Sequence, residues 1–414
     1  MTEKDPNKEK RKIKSVAKMK EIMTGYYIEA KMAEGTGKKV AWITSGGPVE
    51  PLIAMDVIPV YPENHGAMIG ASKMGSDLCE KSEIMGYSRD LCSYARTDIA
   101  CAPIQAGPIG GLPKPDMLIC CNNICGTVLK WYEIQARYYQ KPLFILDTPF
   151  CHTEYSDEAK KYVRRQLNEF TQFLEDTCGN NFDYEKMKEV GKLSFEAQKL
   201  WKDILDTAAH KPAPLSAFDA FFHLALIVTL RGTQVVVDYY TILLNEMQER
   251  IASGIGAVEN EKYRLLWDNL PVWYRTKWLS EKFSSNYACL VADTYNSAWC
   301  SALKYINEND FLETMAEAYT RIYLNIGIDQ MAEEIVSMID KYDVDGLVMH
   351  SNRSCKPYSF GQYDIQKIVR EKRGVPSLII EADMVDERSF SESQIESRIE
   401  AFMEVIQEKR AVIR

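Results

Sequence analysis

The stretch from residue 113 to residue 147 constrains the fold more than any other part of this 414-residue chain. Met117-Leu118-Ile119-Cys120-Cys121 follows a Pro113-Lys114-Pro115-Asp116 turn, and its unbroken apolarity suits a parallel strand buried on both faces. Val128 to Tyr139 has helical composition, and Leu143-Phe144-Ile145-Leu146-Asp147 supplies the next strand. Strand, helix and strand in this order form a βαβ unit, which commits the chain to a parallel sheet covered by helices. Upstream, Lys39-Val40-Ala41-Trp42-Ile43-Thr44-Ser45 is a β-rich run that stops at Gly46-Gly47-Pro48, as a strand entering a tight loop would.

From Ser156 to Lys282 the pattern changes. Met187, Val190, Leu193, Ala197, Leu200, Trp201 and Ile204 recur every three or four positions, which predicts an amphipathic helix. Ala217 to Ile251 is apolar on most sides until Leu244 and reads as a buried helix approached through Pro212 and Pro214. Tyr287 to Val291, Gly346 to Met349 and Ser377 to Ile380 then read as buried strands. A last helix is expected after the Ser391 and Gln394 capping pattern, with Ile395, Ile399, Phe402, Met403 and Ile406 on one face. The reading is therefore an α/β chain with two doubly wound parallel sheets: an N-terminal domain with a leading helix over 1–155, a helical segment over 156–282 and a C-terminal domain over 283–414. Ligands of such sheets bind beyond the carboxyl ends of the strands.

Charge excludes several partners. A net charge of -9 with no sustained basic stripe gives nothing for a nucleic-acid backbone to bind. The short basic run Lys8 to Lys20 reads as a solvated helix face. The first residues lack an apolar export signal, and no apolar run approaches the roughly 20 residues that span a bilayer, so a cytoplasmic protein with no membrane partner is expected.

Eleven cysteines in such a chain are expected to be thiols or metal ligands rather than a disulfide framework. Their spacing matches neither ferredoxin nor zinc patterns, since Cys121 and Cys125 have three residues between them and no second tight pair answers them. A metal site and plain core cysteines both remain open on spacing alone. Position adds something: Cys125 and Cys355 each lie just beyond a predicted strand, on walls that would face each other across a cleft between domains. Cys120 and Cys121 fall within a strand and read as core. Cys79, Cys101, Cys151, Cys178, Cys289 and Cys300 are also read as core.

Four segments together resemble one family. Tyr61-Pro62-Glu63-Asn64, Asp90-Leu91-Cys92-Ser93-Tyr94-Ala95-Arg96, Cys120-Cys121-Asn122-Asn123-Ile124-Cys125 with Lys130-Trp131-Tyr132-Glu133, and His350-Ser351-Asn352-Arg353-Ser354-Cys355 are similar to the 2-hydroxyacyl-CoA dehydratase and benzoyl-CoA reductase family, along nearly the whole chain. The resemblance implies two Rossmann-like domains with a [4Fe-4S] cluster between them, held by Cys92, Cys125 and Cys355 with one iron not ligated by cysteine. It implies a heterodimer with a related second subunit, an acyl-CoA substrate bound at the cluster of this subunit, and a separate ATP-dependent iron–sulfur activator. No GxxxxGK[ST] run occurs here, in keeping with nucleotide hydrolysis on another protein. In the family's dehydratases one electron enters the thioester carbonyl, and the resulting ketyl radical expels the 2-hydroxyl group.

By the same resemblance Ser45 and Glu63 line the substrate end of the cleft as catalytic candidates, Ser45 as a hydrogen-bond donor and Glu63 as a proton acceptor or orienting group; a turn cap and a solvated turn carboxylate are their structural alternatives. His65 and His350 flank the motifs and read more readily as structural residues. Arg96 and Arg353 are expected either to bind substrate carboxylate or CoA phosphate, or to form structural salt bridges. Three functions follow: a 2-hydroxyacyl-CoA dehydratase subunit, a benzoyl-CoA reductase-type subunit, or a non-catalytic electron-relay subunit. Ser45 beside the glycine loop and the run into Cys355 favour the first, and Glu381-Ala382-Asp383-Met384-Val385-Asp386-Glu387-Arg388 departs from the dehydratase pattern and favours the second.

Overall fold

The computed structural model describes residues 11–307 and 311–413, and its frame is two four-stranded parallel sheets. The first holds β1 (Val40–Ile43), β2 (Ile58–Val60), β3 (Met117–Cys121) and β4 (Leu143–Leu146) in the order β2-β1-β3-β4. The second holds β5 (Tyr263–Asp268), β6 (Ala288–Asp293), β7 (Gly346–Asn352) and β8 (Ser377–Ala382) in the order β6-β5-β7-β8. Both sheets thus run second, first, third, fourth. The chain turns one way from the first strand and the other way from the third, so each sheet has a switch point between them, open at the carboxyl ends. These are two Rossmann-like domains.

Alternation along the strands sorts the two cores. Ala41 and Ile43 of β1 and Met117, Ile119 and Cys121 of β3 pack with Val163, Met187, Trp201, Val236 and Tyr240 from the central helices. Val40 and Trp42 with Leu118 and Cys120 face the opposite way, into a core continuous with the second sheet. The continuous apolarity of β3 is the price of burial on both faces.

The predicted amphipathic helix is Tyr184–Asp206, started by Asp183, whose side chain accepts from the Lys186 N–H. The terminal helix Glu392–Ile413 buries all five of its expected apolar residues. Two readings change. Ala217 to Ile251 is three helices, Ala217–His223, Ala225–Leu230 and Gln234–Ala252, because the chain leaves helical geometry at Arg231 and Gly232 takes a φ of +86°. And β5, a central strand of the second sheet, lies inside the stretch read as helical, 156–282, so that sheet begins before residue 283. The short edge strand β2 was not anticipated either. The basic run begins outside the described residues; Lys12, Lys14, Lys18 and Lys20 are exposed. Among the described residues no helix is long and apolar enough to cross a membrane.

Candidate active site

Ser45 follows β1 and Cys125 follows β3, so both stand at the switch point of the first sheet; Cys355 follows β7 at the switch point of the second. Cys92 immediately precedes the helix Ser93–Ile104. These four residues and Glu63 line one cavity of about 180 Å³ between the sheets, mostly apolar and rich in aromatic side chains. Four helices of eight residues or more begin at its wall: Pro62–Ala71, Ser93–Ile104, Thr127–Tyr139 and Thr294–Ser301.

All eleven cysteines are free thiols, and only three of them, Cys92, Cys125 and Cys355, line this cavity. Burial pushes the Cys92 thiol up to about 12 and raises Cys125 and Cys355 as well, and proximity of the sulfurs to one another adds to the rise for Cys92 and Cys355. Against this, backbone N–H groups of the turn that follows each cysteine favour its thiolate: those of Tyr94 and Ala95 at Cys92, Thr127 and Val128 at Cys125, and Tyr358 at Cys355. Three thiols brought to one dry cavity suit an iron–sulfur cluster, which would hold sulfur as thiolate and would respond to such N–H groups. A single zinc ion draws its donors to within about 2.3 Å of one point. Among the described residues no three Cys, His, Asp or Glu side chains are gathered that tightly.

Neighbours of the cysteines lock the two domains in register. The Ser93 N–H donates to Ser354 Oγ at 3.2 Å, and Ser354 Oγ donates to Asp383 Oδ2 at 2.5 Å. Asp383 Oδ1 accepts the N–H groups of Val385 and Asp386 at 2.8 and 2.9 Å. The segment 381–388 therefore ties the Cys92 turn to the Cys355 turn.

Glu63 stands at the start of the helix Pro62–Ala71, 8% exposed. Its Oε1 accepts the Ser45 N–H at 3.1 Å and its Oε2 the Tyr132 hydroxyl at 3.2 Å. Burial raises its carboxyl to about 7 in spite of these donors, so both protonation states are accessible near neutrality. The solvated-turn alternative for Glu63 is thereby excluded. Asn123 Nδ2 donates to the Gly46 carbonyl and to the Tyr319 carbonyl, both at 2.7 Å, binding the Ser45 loop to the Cys125 loop. Gly46 is required there: a Cβ would lie 2.6 Å from Ile124 Cγ2.

Comparison with known proteins gives the family. Residues 44–406 match the family model described as 2-hydroxyglutaryl-CoA dehydratase, D-component. The chain belongs to that family. It is 34% identical to the lactoyl-CoA dehydratase subunit alpha of Anaerotignum propionicum, over 92% of this chain and 94% of the relative. It is 35% identical to the (R)-2-hydroxyisocaproyl-CoA dehydratase alpha subunit of Clostridioides difficile, over 95% and 96%. Identity to a benzoyl-CoA reductase subunit of Thauera aromatica is 28%, over 98% and 97%.

In this dehydratase-family chain the flanking histidines and arginines take structural roles. His65 and His350 are buried, do not line the cavity, and burial lowers both to about 4, so they are neutral; His350 Nδ1 pairs with the Leu270 carbonyl at 2.6 Å. Arg96 is buried in bonds to Glu83 at 2.8 Å and Asp386 at 3.2 Å, and Arg353 pairs on the surface with Glu381 at 3.2 Å. Cys120 and Cys121 are buried in β3, as read.

Several wall residues went unread. Tyr295, Glu50, Arg231 and Tyr319 come from distant parts of the chain, and Tyr132 stands behind the wall and reaches the site through its bond to Glu63. Of these five only Tyr132 lies inside a quoted motif, Lys130–Glu133.

Proposed function

We propose that this chain is the substrate-binding iron–sulfur subunit of an anaerobic 2-hydroxyacyl-CoA dehydratase, working beside a related second subunit and a separate ATP-dependent activator. The observation that carries the proposal is the convergence of Cys92, Cys125 and Cys355 with Ser45 and Glu63 on a single cavity. Cys92, Cys125 and Cys355 are the ligands of a [4Fe-4S] cluster with one iron free of cysteine. When bound, that cluster supplies single electrons for reduction of the substrate thioester to a ketyl radical and an iron position open to an oxygen ligand.

The chain's own groups do the rest. The apolar walls exclude water from a radical that water would quench. Glu63, held by the Ser45 N–H and the Tyr132 hydroxyl, gives its proton to the departing 2-hydroxyl, which leaves as water, and the carboxylate so formed takes the proton that the acidified 3-position gives up, restoring the neutral acid. Ser45 orients Glu63 through its N–H and offers its hydroxyl to the same region. A buried carboxyl poised near neutrality beside the cysteines, that of Glu63, favours a catalytic subunit over an electron relay, which needs no proton donor.

The test is anaerobic purification with the partner subunit and activator, then assay of 2-hydroxyacyl-CoA and benzoyl-CoA under ATP and a strong reductant. Dehydration of the hydroxyacyl thioester is expected. Ring reduction instead would reassign the chain to the reductase branch, and turnover of neither would make it a relay.

A further inference from the structure

Each sheet sends its second strand into the cavity by the same route. In the first, β2 leads to the helix Pro62–Ala71, whose second residue is Glu63; in the second, β6 leads to the helix Thr294–Ser301, whose second residue is Tyr295. The third strands match in the same way, β3 leading to Cys125 and β7 to Cys355. Tyr295 therefore holds in the second domain the place that Glu63 holds in the first, and both line the cavity.

The start of its helix is pinned. Asp293 Oδ1 accepts the Asn296 N–H at 2.6 Å, and Thr294 Oγ1 donates to Asp268 Oδ1 at 3.0 Å. The Tyr295 ring packs against Phe221 and Trp273, its centroid 6.2 Å from each, and with them borders an outer groove. Burial raises the phenol, and the charges that add to the rise are those of Glu63, then Asp293 and Cys355. Two of these three are cavity groups, so the hydroxyl end of the ring belongs to the cavity. Among the described residues that hydroxyl has no hydrogen-bond partner. Other wall phenols do: Tyr94 accepts the Trp273 indole N–H at 2.5 Å, and Tyr319 donates to Glu50 Oε2 at 2.6 Å, where Arg231 Nε lies 3.9 Å from Oε1.

An electron delivered by the activator to a thioester puts negative charge on the carbonyl oxygen. It leaves again as the enoyl product forms, since loss of water is redox-neutral. A donor fixed in advance gains most while that charge is present. The carbonyl is one carbon from the 2-hydroxyl that Glu63 serves, and Tyr295 is a donor with nothing yet to bind. We infer that Tyr295 is a catalytic residue whose hydroxyl donates a hydrogen bond to the thioester oxygen. The phenol keeps its proton throughout, and no electron passes through it.

This rests on the proposed function for the reaction, but one readout needs no turnover. The anaerobically purified complex is saturated with 4-methylpentanoyl-CoA labelled with carbon-13 at the carbonyl, which has no 2-hydroxyl to lose, and studied by infrared difference spectroscopy. The bound carbonyl stretch should lie below that of the free ester, and Tyr295→Phe should return it towards the free value. On the matching 2-hydroxy thioester, Tyr295→Phe should lower kcat by about 100-fold or more with KM little changed and iron content equal to the parent's. An unmoved band, no bound band in the parent, a loss confined to KM, or loss of iron from the variant overturns the inference. A parent that dehydrates no 2-hydroxy thioester, while the band still moves in Tyr295→Phe, strikes the proposed function and leaves the hydrogen bond standing.

Discussion

Cys125 and Glu63 share a cavity and should separate cleanly in experiment. Cys125→Ser is expected to lose cluster iron and activity together, read by anaerobic iron analysis; full iron content would remove Cys125 from the ligand set. Glu63→Gln should keep its iron, because the amide oxygen still accepts the Ser45 N–H, while kcat falls by about 100-fold or more, the usual scale for losing a general acid–base. Asp98 offers a pH test away from the cysteines. Its carboxylate is buried beneath the Trp131 and Gln135 side chains, which donate at 2.7 and 2.6 Å, and burial raises it to about 7. A raised folded value means the native state holds this proton more tightly than the unfolded chain. The associated stability is complete below the unfolded value near 4 and is lost as pH rises through 7. Asp98→Asn should therefore gain on the parent by roughly 1.4 kcal/mol per pH unit between about pH 5 and 7 in urea titrations; parallel curves would refute the assignment. Much at this scale was legible. The three cysteines and Glu63 were named from motifs and Ser45 from its family position after the first strand, and all five reach one cavity. The Glu50–Arg231 pair was not, because each is an ordinary charged residue in its own neighbourhood and only folding shows that they meet.

At the scale of elements, legibility followed unbroken apolar composition. The strands β3, β4, β6, β7 and β8 carry apolar runs that announce them. By contrast β5 contains Arg264, whose guanidinium is buried against Glu261 and the carbonyls of Tyr342 and Ala208, so a central strand carries a charge at its start. The strand β2 is three residues long with a proline in the middle, tolerated because it pairs on one side only. The Ala217 to Ile251 run misled for a different reason: composition reports burial, and the break comes where Arg231 leaves helical geometry and Gly232 takes left-handed backbone. The loop after β1 gives an element-level prediction. Gly46→Ala would push Ile124, and with it the Cys125 turn, at a stability cost of about 1–3 kcal/mol. The expected signature is lowered iron retention in the purified complex alongside a reduced urea midpoint; unchanged values of both would show that the two loops move independently.

On the scale of the molecule, the cavity belongs to neither sheet. Cys92 and Cys125 come from the first domain and Cys355 from the second, stitched by Ser93, Ser354 and Asp383. A group held by all three binds the folded arrangement and not the unfolded chain, so removing it should loosen the join. Oxidative loss of the cluster followed by chelation is expected to lower Tm by at least about 4 °C in anaerobic calorimetry; equal values for loaded and stripped protein would mean that the domains are held by their own contacts alone.

The parallel architecture has one more effect, and it concerns the energy of an added electron. Because four helices begin at the cavity wall, each presents the positive end of its peptide dipoles to the same small volume. Apolar surroundings resist any new charge, but these oriented amides are already in place and need no reorganisation when one arrives. Negative charge entering between the sheets is thereby met by a field that the backbone set up on folding, beyond what the cavity's Arg231, already facing Glu50, can offer.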